Sequence, residues 1–108
     1  MTKTNLQDFL SDDAALPRST TLFQEKGLRT LLLHLGPGEK IPEHQTRGAI
    51  TVQCLKGEGA FFLPDERIEL RAGVLISVAP AAPHSVTAEA DLLLLVNISE
   101  QIPTPSAQ

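Results

Sequence analysis

Short apolar runs dominate the chain from Leu28 to Ser99, and glycine, proline or charged pairs interrupt them about every ten residues. This spacing is typical of antiparallel sandwiches and barrels, in which each strand is brief and each turn is built from glycine, proline or polar residues. The sequence therefore predicts an all-β fold, organised as one small, jelly-roll-like antiparallel β-barrel.

The clearest local prediction is a hairpin. Residues 60–63 and 68–71 form two apolar-rich runs, and the segment 64–67 between them begins with a proline followed by an acidic residue, which is typical of a turn. The two runs are therefore expected to pair as consecutive strands. Further strands are predicted over 31–35, 39–45, 49–55, 74–78, 84–87 and 92–98.

The rest of the chain divides into two flanking parts. We expect an N-terminal segment over 1–27, the barrel over 28–99 and a flexible C-terminal tail over 100–108. In the first part, Asn5 can cap a short helical turn that places Leu6, Phe9 and Leu10 on one face. The tail holds two prolines among small polar residues, which favours an extended or disordered chain.

Charge and composition narrow the classes of function. The formal net charge is −4, and no basic cluster alternates with aromatic residues, so we expect no nucleic-acid partner. The apolar runs fall far short of the roughly 20 residues that cross a bilayer, so we expect no membrane partner. The single cysteine, Cys54, cannot form an internal disulfide, and the first residues lack a signal-peptide apolar core. These features predict a cytoplasmic protein.

Two glycine and histidine patterns lie within the predicted barrel. The first contains Gly38, His44 and Gly57, and the second contains Gly73 and His84. Together they resemble the two sequence motifs of the cupin superfamily. The resemblance implies a cupin-type β-barrel, in whose interior the family's three histidines and one carboxylate hold a divalent transition metal.

The chain departs from this family pattern at two ligand positions. Thr46 stands where the family has its second histidine, and Ile50 stands where the family has its glutamate. The resemblance therefore implies two metal ligands, His44 and His84, and we expect any divalent transition metal to bind weakly. The nearby side chains with an oxygen donor are Gln45, Thr46 and Gln53.

A small-molecule pocket is expected around the two histidines inside the barrel. Counting with period two puts His44 and Ile50 on one face and Gln53 on the other, unless a bulge between Thr46 and Ala49 reverses the order. The predicted lining consists of Thr46, Ile50, Val52, Gln53, Phe62, Ile76 and Val78.

Three functions remain open from the sequence. The chain is a metal-dependent enzyme acting on a small molecule, a non-catalytic module that binds or senses a small molecule, or a structural barrel. The apolar Ile50 at a carboxylate position favours the second. We also expect a homodimer, because a small barrel exposes sheet edges and the apolar N-terminal side chains need a surface to cover.

Overall fold

The computed structural model describes residues 3–11 and 15–99, so the predicted C-terminal tail over 100–108 lies outside the described residues. The described part begins with a single 3-10 turn, Leu6–Phe9, and continues as β-strands. In chain order the strands are β1 (Ser19–Glu25), β2 (Leu28–Leu35), β3 (Lys40–His44), β4 (Ile50–Lys56), β5 (Gly59–Leu63), β6 (Glu66–Leu70), β7 (Leu75–Val78), β8 (His84–Ala88) and β9 (Leu92–Ser99).

The strands form two antiparallel sheets that face each other. One sheet has five strands in the order β1-β2-β9-β4-β7, and the other has four strands in the order β3-β8-β5-β6. The predicted hairpin is the β5–β6 pair, in register from Gly59 opposite Leu70 to Leu63 opposite Glu66. The predicted all-β antiparallel fold is confirmed, as is the short N-terminal turn, where the Asn5 side chain accepts a hydrogen bond from the Gln7 amide at 3.0 Å.

Strand β1 belongs to the five-stranded sheet of the barrel, whereas the sequence predicts its residues in an N-terminal segment. It pairs with β2 in antiparallel register and contains one bulge. Leu22 is the one buried residue of the strand, and most of the others are polar or charged, so no apolar alternation marks it. The barrel therefore starts nine residues before the predicted boundary at residue 28, at Ser19.

The inner faces of the two sheets form the main core. Strand β4 alternates buried and half-buried residues, which puts Ile50, Val52 and Cys54 inside, as period-two counting predicts. The largest wholly buried side chains of this core include Phe61 and Leu35. Burying one Leu or Phe side chain in this way stabilises the folded state by about 1.5–3 kcal/mol.

Gly57 lies where the turn between β4 and β5 contacts the turn between β8 and β9. Gly57 has a φ of +98°, and a Cβ at this position would lie 1.7 Å from the carbonyl oxygen of Asp91. Gly73 has nearly the same φ, +97°, but a Cβ there would meet nothing within 4 Å. Both positions need glycine for the backbone conformation, but only Gly57 also needs it for space.

The outer face of the five-stranded sheet carries a second apolar cluster. Leu22, Leu32 and Leu93 are buried in it, and the N-terminal Leu6, Phe9 and Leu10 pack against it, partly buried. The apolar N-terminal side chains therefore find their surface within the same chain. The homodimer expected from these side chains and from the sheet edges stays a prediction. Within the described ranges, no helix has the length and apolar character needed to cross a membrane.

Candidate functional site

A cavity of about 480 Å³ lies between the inner faces of the two sheets. This volume falls within the range of small-molecule sites, about 300–1,000 Å³. The wall is mostly aliphatic and is formed by Leu31, Leu33, Ile41, Pro42, Ile50, Val52, Val86, Leu94, Val96 and Ile98. The polar or charged side chains of the lining are those of Arg18, Ser19, Arg29, His44, Thr46 and His84.

His44 and His84 face each other across the β3–β8 pair. A bulge in β3 between Ile41 and His44 shifts the register by one residue, so that His44 lies directly opposite His84. Their ring centroids are 4.2 Å apart, with an angle of 62° between the ring planes. His84 is buried, at 3% exposure, and stacks on Phe61, whereas His44 is exposed to solvent. The pair therefore extends from the core to the mouth of the cavity.

The hydrogen bonds of the two rings define their tautomers. The Nδ1 atom of His44 lies 3.0 Å from the carbonyl oxygen of Pro42, and the Nδ1 atom of His84 lies 2.9 Å from that of Ala82. A carbonyl oxygen only accepts, so each Nδ1 carries a proton and donates. In the neutral ring this leaves the Nε2 lone pair free to accept a hydrogen bond or to bind a metal.

His84 is held in its neutral form. Burial lowers the pKa of His84 below its usual value near 6.5, and the neighbouring His44 lowers it further, while the hydrogen bond to Ala82 acts in the opposite direction. At neutral pH the ring is uncharged, so His84 offers an acceptor rather than a positive charge to the cavity.

Three of the predicted lining residues do line the cavity with the histidines: Thr46, Ile50 and Val52. Ile76 and Val78 are buried in the surrounding core, on the β7 strand beside β4, but they do not reach the cavity surface. They support the wall that β4 provides.

Two predicted lining residues lie elsewhere. Gln53 alternates with the inward side chains of β4 and so faces away from the cavity. Period-two counting predicts this face when no bulge between Thr46 and Ala49 reverses the order. Phe62 is only half-buried, and the aromatic side chain that faces the interior is its neighbour Phe61. Phe61 pairs in register with the inward-facing Val86, which determines the face that each aromatic side chain occupies.

Two arginines of the lining, Arg18 and Arg29, are not among the residues predicted from the sequence. Arg29 lies on β2 in phase with the inward-facing Leu31 and Leu33, so the same alternation indicates its position. The sequence does not predict Arg29 in the lining, because a charged side chain is rarely found on the inner face of a sheet. Arg18 precedes β1, and no sequence signal indicates it.

The donor set does not fit a tightly held metal ion. Among the residues that the structure describes, no group of three or more histidine, cysteine, aspartate or glutamate side chains is placed to hold one. Thr46 uses its hydroxyl to donate to the Gly48 carbonyl at 3.0 Å, and Ile50 brings no donor. Two imidazoles are fewer ligands than structural or catalytic transition-metal sites usually have. The two guanidinium groups of the lining also disfavour a cation.

Cys54 adds no reactive group to the site. It is wholly buried, and burial raises the pKa of its thiol, against a smaller opposite effect of a hydrogen bond with the backbone of Lys56. The thiolate needed for nucleophilic attack is therefore disfavoured.

Several solved structures share this fold. A cupin superfamily protein from Desulfitobacterium hafniense superposes with a TM-score of 0.78 at 19% identity, covering 89% of this chain and 88% of that one. An RmlC-like cupin from Desulfovibrio desulfuricans gives a TM-score of 0.75 at 24% identity, covering 92% and 96%. The DMSP lyase DddQ from Ruegeria pomeroyi gives 0.71 at 20% identity, covering 80% of this chain but 48% of the lyase. At these identities the likeness shows the fold alone.

Sequence comparison gives the family. No curated protein matches the chain. The cupin domain family matches residues 31–97, which is more than half of the chain and contains both histidines. Because the two-sheet barrel, the position of the histidine pair and this match agree, the chain belongs to the cupin family.

Proposed function

We propose that this cupin binds a small, largely apolar molecule in the cavity between its sheets, without metal-dependent chemistry. The observation that carries the proposal is the cavity itself, with aliphatic walls and a few polar groups near the histidines. Ligand sites of this kind usually combine an apolar surface, which supplies affinity, with a small number of polar groups that orient the ligand.

The histidine pair supplies part of that orientation. The Nε2 atom of His84, left free by the bond from its Nδ1 to Ala82, is suited to accept a hydrogen bond from a ligand hydroxyl or amide. His84 is fixed by its stacking on Phe61 and by burial, so little conformational freedom is lost when a ligand binds. His44, at the exposed end of the pair, would contact the part of the ligand nearest to solvent.

Ile50 favours binding over metal catalysis. At the position where cupins carry a metal-binding glutamate, this chain presents a buried aliphatic side chain to the cavity. The change removes a charged ligand and enlarges the apolar wall. A divalent transition metal held by His44 and His84 alone would bind weakly and would exchange readily.

A neutral fluorescent probe tests this proposal. N-phenyl-1-naphthylamine, which fluoresces strongly in apolar surroundings, should bind the wild-type protein with saturation. Val52→Phe, which fills the cavity from the middle of β4, should weaken binding at least about tenfold, a loss of about 1.4 kcal/mol. Ile50→Phe, another residue of the cavity wall, should act in the same direction if Val52→Phe folds poorly.

The matched control is Gln53→Phe, which adds an aromatic side chain to the same strand on the opposite face. It should bind the probe as the wild type does. No saturable binding by the wild type, or equal binding by all variants, would contradict a ligand site in this cavity.

A further inference from the structure

Arg29 is a half-buried cation whose Nε is a buried hydrogen-bond donor without a partner among the described residues. Its side chain lines the cavity. Burying an N–H group without a partner is unfavourable, and buried charges in proteins are normally paired. The unpaired donor beside an open volume therefore indicates a group that the chain itself does not supply.

Arg18 adds a second positive charge to the same cavity and is held in place. Its Nη2 atom donates to the carbonyl oxygen of Lys40 at 2.6 Å, which ties the residue before β1 to the start of β3. A guanidinium has five N–H donors, so this single bond leaves others for a ligand. Arg18 is exposed, and Arg29 is half-buried.

The charge of the cavity is opposite to that of the chain. The protein carries a formal net charge of −4, yet among the residues that the structure describes the cavity lining contains two arginines and no aspartate or glutamate. Such a local reversal concentrates anions in the cavity. A planar guanidinium is complementary to a carboxylate, with which it forms two parallel charge-assisted hydrogen bonds.

We propose that the cavity selects an amphiphilic carboxylate, with its apolar body against the aliphatic wall and its carboxylate paired with Arg29. This inference rests on the proposed function and specifies the chemical class of the ligand. The pairing satisfies the orphan Nε of Arg29.

A matched pair of probes tests the carboxylate. 4-Phenylbutanoate and 4-phenylbutanamide have the same apolar body and nearly the same shape, and differ in charge. Each is titrated against the wild-type protein by calorimetry or by displacement of N-phenyl-1-naphthylamine. The carboxylate should bind at least about tenfold tighter than the amide, and the preference should shrink as salt is added. 3-Phenylpropyl phosphate forms a third arm, and it should bind more weakly than the carboxylate.

Substitution of Arg29 connects this preference to a residue. Arg29→Gln should bring carboxylate and amide affinities to within about twofold while amide binding persists, and Arg29→Lys should keep part of the preference because it keeps the charge. Arg71→Gln is the control, since it removes the same charge from an exposed position outside the cavity. It should leave the preference unchanged. Without ligand, Arg29→Gln should melt no lower than the wild type, because the buried donor it removes has no partner.

The outcomes separate this inference from the proposed function. If wild type binds both probes equally, or Arg29→Gln keeps the full preference, the carboxylate assignment is wrong while the apolar cavity site stands. Tighter binding of the phosphate than of the carboxylate would likewise overturn the assignment. If neither the probes nor N-phenyl-1-naphthylamine bind, both the inference and the proposed function are wrong. A melting temperature of Arg29→Gln well below that of the wild type would assign Arg29 a structural role instead.

Discussion

Thr46 and Ile50 can be changed to give the cavity the two metal donors that it lacks. Both residues line the cavity together with His44 and His84, so Thr46→His and Ile50→Glu would add an imidazole and a carboxylate to the existing pair. Three imidazoles and one carboxylate form a strong donor set for nickel, zinc or manganese. The double variant should therefore bind these metals far more tightly than the wild type does.

The expected effect can be measured as a change in melting temperature. If the wild type binds with a Kd near 1 mM, then about 1 mM metal stabilises it by about 0.4 kcal/mol. A thousandfold gain in affinity, about 4 kcal/mol, raises this stabilisation to about 4 kcal/mol in the double variant. For a domain of this size, about 1 kcal/mol shifts the melting temperature by about 4–8 °C. The metal-induced rise should thus be about 2–3 °C for the wild type and above about 15 °C for the double variant.

Without metal, the double variant should be the less stable protein. Ile50 is 4% exposed, so a glutamate in its place loses the buried aliphatic contacts of the side chain and moves a carboxylate out of water. Differential scanning fluorimetry with EDTA, and then with each metal in turn, measures both effects. Gln53→Glu is the control, because it adds a carboxylate to the same strand on the opposite face, and it should show the wild-type response. Equal metal-induced shifts in the wild type and the double variant would refute the assignment of the ligand positions.

Five further variants test the fold and the electrostatics around the site. Gly73→Ala should lower the free energy of unfolding by about 1–2 kcal/mol, through its left-handed backbone alone. Gly57→Ala should lower it by about 1–3 kcal/mol more, because its Cβ also meets the backbone of Asp91. Equal melting temperatures of the two variants would contradict this difference. Because the pKa of His84 in the folded protein lies below its usual 6.5, the unfolded chain binds the proton more readily, so stability in EDTA should be full above this pH and fall as the pH decreases through it. His84→Gln should flatten this decrease in urea denaturation, and an unchanged slope would assign it to other groups. Phe61→Ala should destabilise the fold by about 3–5 kcal/mol. The Phe62 ring lies 5.5 Å from the Arg67 guanidinium, and Phe62→Ala should destabilise the fold by about 1 kcal/mol. The reverse order of the two losses would mean that the faces of β5 are misassigned.

The strands and the faces of β4 could be predicted from the sequence, because a strand exposes alternate side chains to alternate environments. Ile50 and Val52 are apolar, and Thr51 and Gln53, which alternate with them, are polar, so the pattern itself determines the buried face. Strand β5 offered no such contrast. Phe61 and Phe62 are identical in type, and their faces depend on pairing with β8, which a local pattern does not contain.

The histidine pair was predicted through resemblance, and the arginines were not predicted. Motif spacing indicates that His44 and His84 approach each other, but the 4.2 Å ring separation depends on a bulge in β3 that has no sequence signature. Arg29 follows the inward phase of β2, yet a charged residue on an inner face is improbable unless a partner is known. The partner proposed here is a ligand, which the sequence of the chain does not contain.

The most direct test of the ligand site is the mapping of probe binding onto methyl groups by NMR. In titrations of methyl-labelled protein with N-phenyl-1-naphthylamine, the methyls of Ile50, Val52 and Val86, which line the cavity, should shift. The methyl signals of Leu32 and Leu93 should not shift. These residues are buried in the outer cluster on the other face of the same sheet and provide the internal control. Shifts confined to the outer cluster, or no saturable shift at the three cavity residues, would contradict a small-molecule site between the sheets.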